Sequence, residues 1–212
     1  MNIKISIILA TYNRSRLLDR PINSILKQSF SDWELIIVDD GSNDDTKKHI
    51  KEIFKKDKRI KHIFSKHKGV SYARNIAIKK CKGDYITFID SDDAYLKNHL
   101  KKHYNYLNKN HLVDMIWGGV KIIGNTKIPD QKNKDKLVEA ENCKLCGTFF
   151  IKNDVLKNVK GFPNISYAED YALYELIKKK GFNIKKVNYK TYKYYRNEQD
   201  SICNVIKRSV GK

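Results

Sequence analysis

The sequence predicts an α/β protein with a mainly parallel central sheet, helices on both faces of that sheet, and a smaller mixed region after it. Three observations predict this. Short runs rich in β-branched and aromatic residues alternate with stretches whose apolar residues recur at helical spacing, in the order β-α-β-α-β-α-β through residue 89. The first, second and fourth runs lead into Thr11, Asp39 and Asp90, and strand carboxyl ends are where such sheets bind ligands. The composition is that of a soluble globular chain, 41% hydrophobic and 32% charged over 212 residues, a length that suits one domain.

Each element has its own reason. Residues 3–9 form a strand, and Ala10-Thr11-Tyr12-Asn13 is the turn after it. Leu17, Leu18, Ile22, Ile25 and Leu26 have helical spacing; Pro21 makes that helix kink or start anew. A second strand over 33–38 ends in Asp39-Asp40-Gly41-Ser42, and Asn43-Asp44-Asp45-Thr46 opens a helix reaching about Phe54. Residues 59–64 are a third strand and 69–80 a helix. Gly83-Asp84 is the turn before the fourth strand, 85–89.

The second half is less regular. It holds a helix over 96–108 and a strand within 113–123, where Gly118-Gly119 permits a bulge or a close backbone approach. The polar stretch 125–136, with Pro129 and many lysines, reads as the mobile loop. A strand over 146–151, a short helix from Asn153-Asp154 to Val159 and a turn at Gly161-Phe162-Pro163 follow. Tyr171, Leu173, Leu176 and Ile177 give the helix over 169–180 its apolar face, and Gly181 stops it. Residues 183–187 and 191–195 are short strands. One domain over 1–212 is expected.

The net charge of +19, carried mostly by lysine runs, creates a field that attracts nucleotides, nucleic acid or an anionic membrane. Lysine far exceeds arginine and no basic-aromatic motif appears, so no nucleic-acid partner is expected. No run approaches the roughly 20 apolar residues of a membrane span. The start lacks a signal-peptide layout. The chain therefore reads as cytoplasmic, with room for peripheral contact on the inner face of a membrane. Four scattered cysteines do not suggest a disulfide framework, and Cys143-Lys144-Leu145-Cys146 reads as two ordinary thiols.

Four constellations carry chemistry. Asp39-Asp40-Gly41-Ser42 offers an acid to a pyrimidine imide or a ribose hydroxyl; the competing reading is a plain Asp-Gly turn. Asp90-Ser91-Asp92-Asp93 crowds three carboxylates at the end of a buried strand. That is tolerable if a divalent cation and a polyanionic ligand sit there. In Tyr167-Ala168-Glu169-Asp170-Tyr171 the acids suit the first turn of a helix, and one of them could serve as a general base. Tyr194-Tyr195-Arg196 sets an aromatic pair beside an Arg that can clamp a phosphate.

Taken in order, these stretches resemble the family 2 glycosyltransferases of GT-A fold. The matching segments are Ser6-Ile7-Ile8-Leu9-Ala10-Thr11-Tyr12-Asn13-Arg14, Leu35-Ile36-Ile37-Val38-Asp39-Asp40-Gly41-Ser42-Asn43-Asp44 and Gly69-Val70-Ser71-Tyr72-Ala73-Arg74-Asn75. They continue with Gly83-Asp84-Tyr85-Ile86-Thr87-Phe88-Ile89-Asp90-Ser91-Asp92-Asp93, Gly161-Phe162 and Glu169-Asp170-Tyr171. The resemblance runs from about residue 3 to 201, and it implies a nucleotide-sugar-binding half, 1–95, and an acceptor-binding half, 96–212.

It implies inverting transfer from a nucleotide-diphosphate sugar, most often a UDP sugar, with Mn²⁺ or Mg²⁺. The acceptor would be a hydroxyl of a glycan or lipid-linked precursor in bacterial surface-polysaccharide synthesis. By that likeness Ala10, Thr11, Tyr12, Arg14, Asp39 and Asp40 bind the nucleoside, and Arg74 lines its side. Asp90 and Asp92, flanking Ser91, are the acids of the family's Asp-X-Asp motif, touching ribose and metal, and Asp93 shares the metal. Asp170 is the base, supported by Glu169. Arg196 and Glu198 fall on the diphosphate or acceptor side. There the chain departs from the family, because Glu198 stands where members often carry a His. The departure keeps a second reading open, a nucleotide-sugar-binding module with impaired turnover. A nucleotidyltransferase ranks lower, since the turn after the first strand lacks the glycines of a phosphate loop.

Overall fold

The computed structural model describes residues 3–55 and 57–196. Seven strands form one sheet in the order β11-β6-β10-β4-β1-β2-β3. Its parallel half comprises β3 (Ile60–Phe64), β2 (Trp33–Asp39), β1 (Ile5–Thr11) and β4 (Tyr85–Phe88). The other half is β10 (Phe150–Lys152), antiparallel to both its neighbours, then β6 (Met115–Trp117) and β11 (Ile184–Lys186). Strands from both halves of the chain thus share one ladder, with Phe150 opposite Thr87.

Side-chain alternation along the central strands builds two cores. Ile5, Ile7 and Leu9 face α1 (Asp19–Leu26), α2 (Thr46–Phe54) and α4 (His99–Lys109), through residues such as Ile25, Ile50 and Leu100. Ile8, Ile36 and Phe88 face α3 (Val70–Ile78), α5 (Asn153–Asn158) and α6 (Glu169–Lys179), through Ala73, Leu156 and Leu173. The expected alternation and the helices on both faces are present. Pro21 sits in the first turn of α1, where its missing N–H costs nothing, so the helix starts there rather than kinking.

The second half departs from expectation in three places. The segment expected to hold one strand over 113–123 holds two, β6 and β7 (Val120–Ile123), in different sheets. Gly118 and Gly119 make the crossing at positive φ, and a side chain at Gly118 would come 2.8 Å from the Val187 carbonyl. The stretch expected to be a mobile loop instead folds against the molecule, flanked by the paired β8 (Lys127–Pro129) and β9 (Leu137–Glu139). Residues expected to start a strand at Cys146 form a helical turn, Cys146–Thr148, before β10. Gly147 in that turn lies against Tyr192, whose ring occupies the space a side chain would need. A small second sheet runs β5 (Ala94–Tyr95), β12 (Tyr192–Tyr195), β7.

Behind that sheet lie two buried histidines on α4. His99 is stacked on Tyr95 and bonded through Nδ1 to Thr191; His103 is stacked on Phe150 and donates from Nδ1 to the His99 carbonyl. Neither Nε2 has a partner among the described residues. Burial pushes both imidazoles down, His103 to about 4. No helix among the described residues is long and apolar enough to cross a membrane.

Candidate functional site

A cleft opens at the carboxyl ends of β1 and β4. It has two compartments that share Ala10, Arg14, Val70 and Ser91.

The first compartment is built from loops that hold one another. In the turn after β1 the Asn13 N–H donates to Ser42 Oγ (2.8 Å) and the Arg14 N–H to Thr46 Oγ1 (3.0 Å). Asn13, at φ 51°, accepts the Asn43 N–H in return. Tyr12 stacks on His67 with ring centres 4.0 Å apart, and the His67 ring lies 2.9 Å from Asp40. Asp40 also accepts the Lys68 and Gly69 N–H groups and forms part of the wall. Asp39, expected to cradle the nucleoside, does not reach it. Its carboxylate turns back to accept the Ser42 N–H (2.9 Å) and is 2% exposed, so the acid on this wall is Asp40. Thr11 Oγ1 and Ser71 Oγ are buried here with no partner among the described residues, leaving hydrogen-bonding capacity unspent.

Arg74 joins the two compartments. From α3 its Nη2 donates to Asp90 Oδ1 (2.8 Å) and its Nη1 to Glu169 Oε1 (2.7 Å). The cluster after β4 divides. Asp90 and Asp92 line the second compartment with Ser91. Asp93, expected to share a metal, is 0% exposed and lies outside the wall. Its carboxyl accepts the Tyr192 hydroxyl (2.5 Å) and the Tyr195 N–H (2.8 Å), which pins β12 to the cluster. Burial, then Asp92 and Asp90, push it well above the usual range. Asp93 is a structural acid. Asp90 and Asp92 are the right chemistry for a hard cation such as Mg²⁺ or Mn²⁺. Among the described residues no group of three His, Cys, Asp or Glu side chains could hold a metal. Asp90 and Asp92 would therefore supply only two carboxylates of such an ion's shell, the rest falling to water and phosphate oxygens.

Opposite stands Asp170, in the first turn of α6. Ala168 before it adopts a left-handed conformation, φ 56°, uncommon for a residue with a Cβ, and turns the chain into the helix beside the cavity. Asp170 Oδ1 accepts Gln131 Nε2 (2.9 Å) and the Tyr171 N–H (2.8 Å); among the described residues Oδ2 accepts only the Cys146 N–H, at 3.3 Å. Burial, with Glu169 adjacent, raises its carboxyl to about 7, against the pull of Arg74. Cys146 contributes its backbone alone, since burial holds its thiol well above the ordinary value. Arg196 lines the same compartment, 4% exposed, its guanidinium 5.3 Å from the Tyr194 ring centre. Glu198 lies outside the described residues.

Gln131 was invisible in the sequence. It sits in the stretch read as a mobile loop, and only the fold shows that it bonds both Asp170 and the Lys144 carbonyl.

Residues 6–177 match the model of Glycosyl transferase family 2. The chain is 34% identical over 191 residues to the Escherichia coli UDP-Glc:alpha-D-GlcNAc-diphosphoundecaprenol beta-1,3-glucosyltransferase WfgD, covering 87% of this chain and 73% of that one. It is 37% identical over 180 residues to an uncharacterized glycosyltransferase of Haemophilus influenzae, covering 80% and 70%. Among solved structures it resembles S. aureus TarS 1-349 in complex with UDP-GlcNAc, with a TM-score of 0.75 and 26% identity, covering 92% of this chain and 59% of the TarS chain.

Proposed function

Because this chain belongs to glycosyl transferase family 2 and has its GT-A fold, we propose that it moves a sugar from a nucleoside-diphosphate donor, a UDP sugar, to a hydroxyl of a glycan or lipid-linked acceptor in bacterial surface-polysaccharide synthesis. The reading rests on one observation above all. A carboxylate raised to about 7, Asp170, faces the Asp90–Asp92 pair across a single compartment.

In-line displacement needs a base on one face of the sugar and a stabilised leaving group on the other. The nucleoside lies in the first compartment against Tyr12, Thr11 and Asp40. The sugar reaches into the second. Asp170 Oδ2, the less occupied oxygen, takes the proton of the acceptor hydroxyl as that oxygen bonds to the sugar's anomeric carbon. The bond from that carbon to the diphosphate breaks, and its electron pair leaves with the nucleoside diphosphate. One attack from the opposite face inverts the anomeric centre. Glu169 holds Arg74, and Arg74 holds Asp90 at the leaving-group side. Arg14 and Arg196, both on the wall, offset charge on the departing diphosphate. A divalent ion held by Asp90 and Asp92 would supply further Lewis-acid stabilisation of that group.

The test is release of nucleoside diphosphate from UDP-glucose, UDP-GlcNAc and related donors, with Mn²⁺ or Mg²⁺, in the presence of glycan and lipid-diphosphate acceptors. Donor binding without release under any pairing would sink the transfer reading and leave a binding module.

A further inference from the structure

Beyond Asp170 the surface changes character. Lys144 Nζ lies 3.7 Å from the centre of the Trp117 ring and 4.9 Å from that of Tyr174. Lys186 Nζ approaches the same Trp117 ring at 5.0 Å, and Lys132 Nζ the Tyr171 ring at 5.7 Å. Among the described residues none of these three ammonium groups has an ion-pair partner, although Glu175 lies near enough to act on Lys144 at longer range. Burial, then Lys186, lowers the Lys144 ammonium from its ordinary value. Cations drawn together over aromatic faces, their repulsion only partly offset by Glu175, suit an anion that has yet to arrive.

The patch is tied to the proposed base. Gln131 exchanges hydrogen bonds with the Lys144 backbone, and its Nε2 also donates to Asp170. Tyr174 sits four residues after Asp170 on α6, on the same face and about one helical turn, ~5.4 Å, further along. That step is of the order of one sugar ring.

From this geometry we infer that Lys144, Lys186 and Lys132, with Trp117 and Tyr174, form a phosphate site for the acceptor, which carries its phosphate or diphosphate one sugar away from the hydroxyl that is attacked. The inference rests on the proposed transfer reaction and narrows its acceptor to the phosphorylated kind. A lipid-linked sugar diphosphate and a soluble sugar phosphate share this chemistry. Neutral glycans lack it.

The experiment follows the indole N–H resonances of Trp33 and Trp117, the two tryptophans of the chain, in ¹⁵N-labelled protein. UDP with Mg²⁺ is added first to fill the donor side; the absence of any response to UDP would count against the transfer reading itself. Inorganic diphosphate is then titrated in. Saturable movement of Trp117 is expected while Trp33, held under Arg59 on the other side of the sheet, stays still. Lys144→Gln with Lys186→Gln should weaken that response at least tenfold, and the exposed Lys186→Gln alone should weaken it partly. A UDP response with no saturable Trp117 shift, or with the same shift in the double variant, overturns the phosphate site and spares the transfer reading. A second arm replaces diphosphate with phosphatidylglycerol vesicles. A Trp117 response to vesicles but not to diphosphate also overturns the inference, in favour of a membrane-docking patch. A response to diphosphate that geranyl diphosphate reproduces points to the lipid-linked form; one that only glucose 1-phosphate reproduces points to the soluble form.

Discussion

The two walls of the cleft are made in opposite ways. The donor wall is short, local and parallel: the turns after β1, β2 and β4 lie side by side because their strands do, and the first two hydrogen-bond each other. The acceptor wall is assembled from distant pieces. Gln131 comes from a loop after β8, Cys146 from a helical turn, Asp170 from the start of α6 and Arg196 from beyond β12. On the proposed reading the donor wall meets a ligand part common to many donors, and regular structure suffices. On the same reading the acceptor wall must suit its own acceptor, and irregular structure can vary without disturbing the sheet. Arg74 is the joint between them.

That contrast can be broken experimentally. The largest effect belongs to the acceptor wall. Asp170→Asn should lower kcat about 10²- to 10⁴-fold while leaving the donor Kd nearly unchanged, measured by steady-state kinetics and donor titration. Equal loss of donor affinity would merge the two walls into one function.

Next in size is an acid sensitivity of the scaffold behind β12. His103 stays neutral in the folded protein down to about 4 but takes a proton near 6.5 when unfolded. Its folded value is depressed, so the unfolded state binds more protons as pH falls. Stability is unpenalised above about 6.5 and is lost between there and about 4, up to roughly 3 kcal/mol from this residue. Urea melts from pH 7.5 to 4.5 measure it, and His103→Phe should flatten the slope.

Asp92→Ala, on the donor wall, should weaken metal-supported UDP binding at least roughly tenfold, read by calorimetry with and without Mn²⁺. Metal-supported binding that is unchanged would refute its assignment.

The smallest effect sharpens the acceptor wall. Turnover through Asp170 needs the ionised form, so kcat/KM should rise with pH through about 7. Gln131 donates to that ionised form. Gln131→Leu should therefore move the rise to higher pH, by roughly half a unit to one unit. A profile that stays in place would mean the bond does not act on the base.

The same contrast explains what could be read from the chain. β1 to β4 were legible because apolar runs, turn residues and strand-end acids repeat a single physical pattern; Asp90 and Asp92 came with it as acids, and Arg74 only through the family resemblance. The acids at Asp39 and Asp93 were legible as acids but not as structural ones. Spacing marks a carboxylate's position, whereas its partners, Ser42 in one case and Tyr192 with Tyr195 in the other, are fixed by folding. Gln131 and the turn at Cys146 were illegible because neither belongs to a periodic element. Their positions follow from contacts spanning 24 to 39 residues of sequence.

Gly147 gives this architecture a consequence for how the molecule tolerates change. It touches no proposed substrate, yet the Tyr192 ring fills the place of its missing side chain, and that ring's hydroxyl holds Asp93 while the residue before Gly147 holds Asp170. Even an alanine there must push on both walls at once. In a saturation library this glycine should behave like a member of the reaction machinery, and the chain's freedom to drift toward new acceptors is narrowest at a position that never meets one.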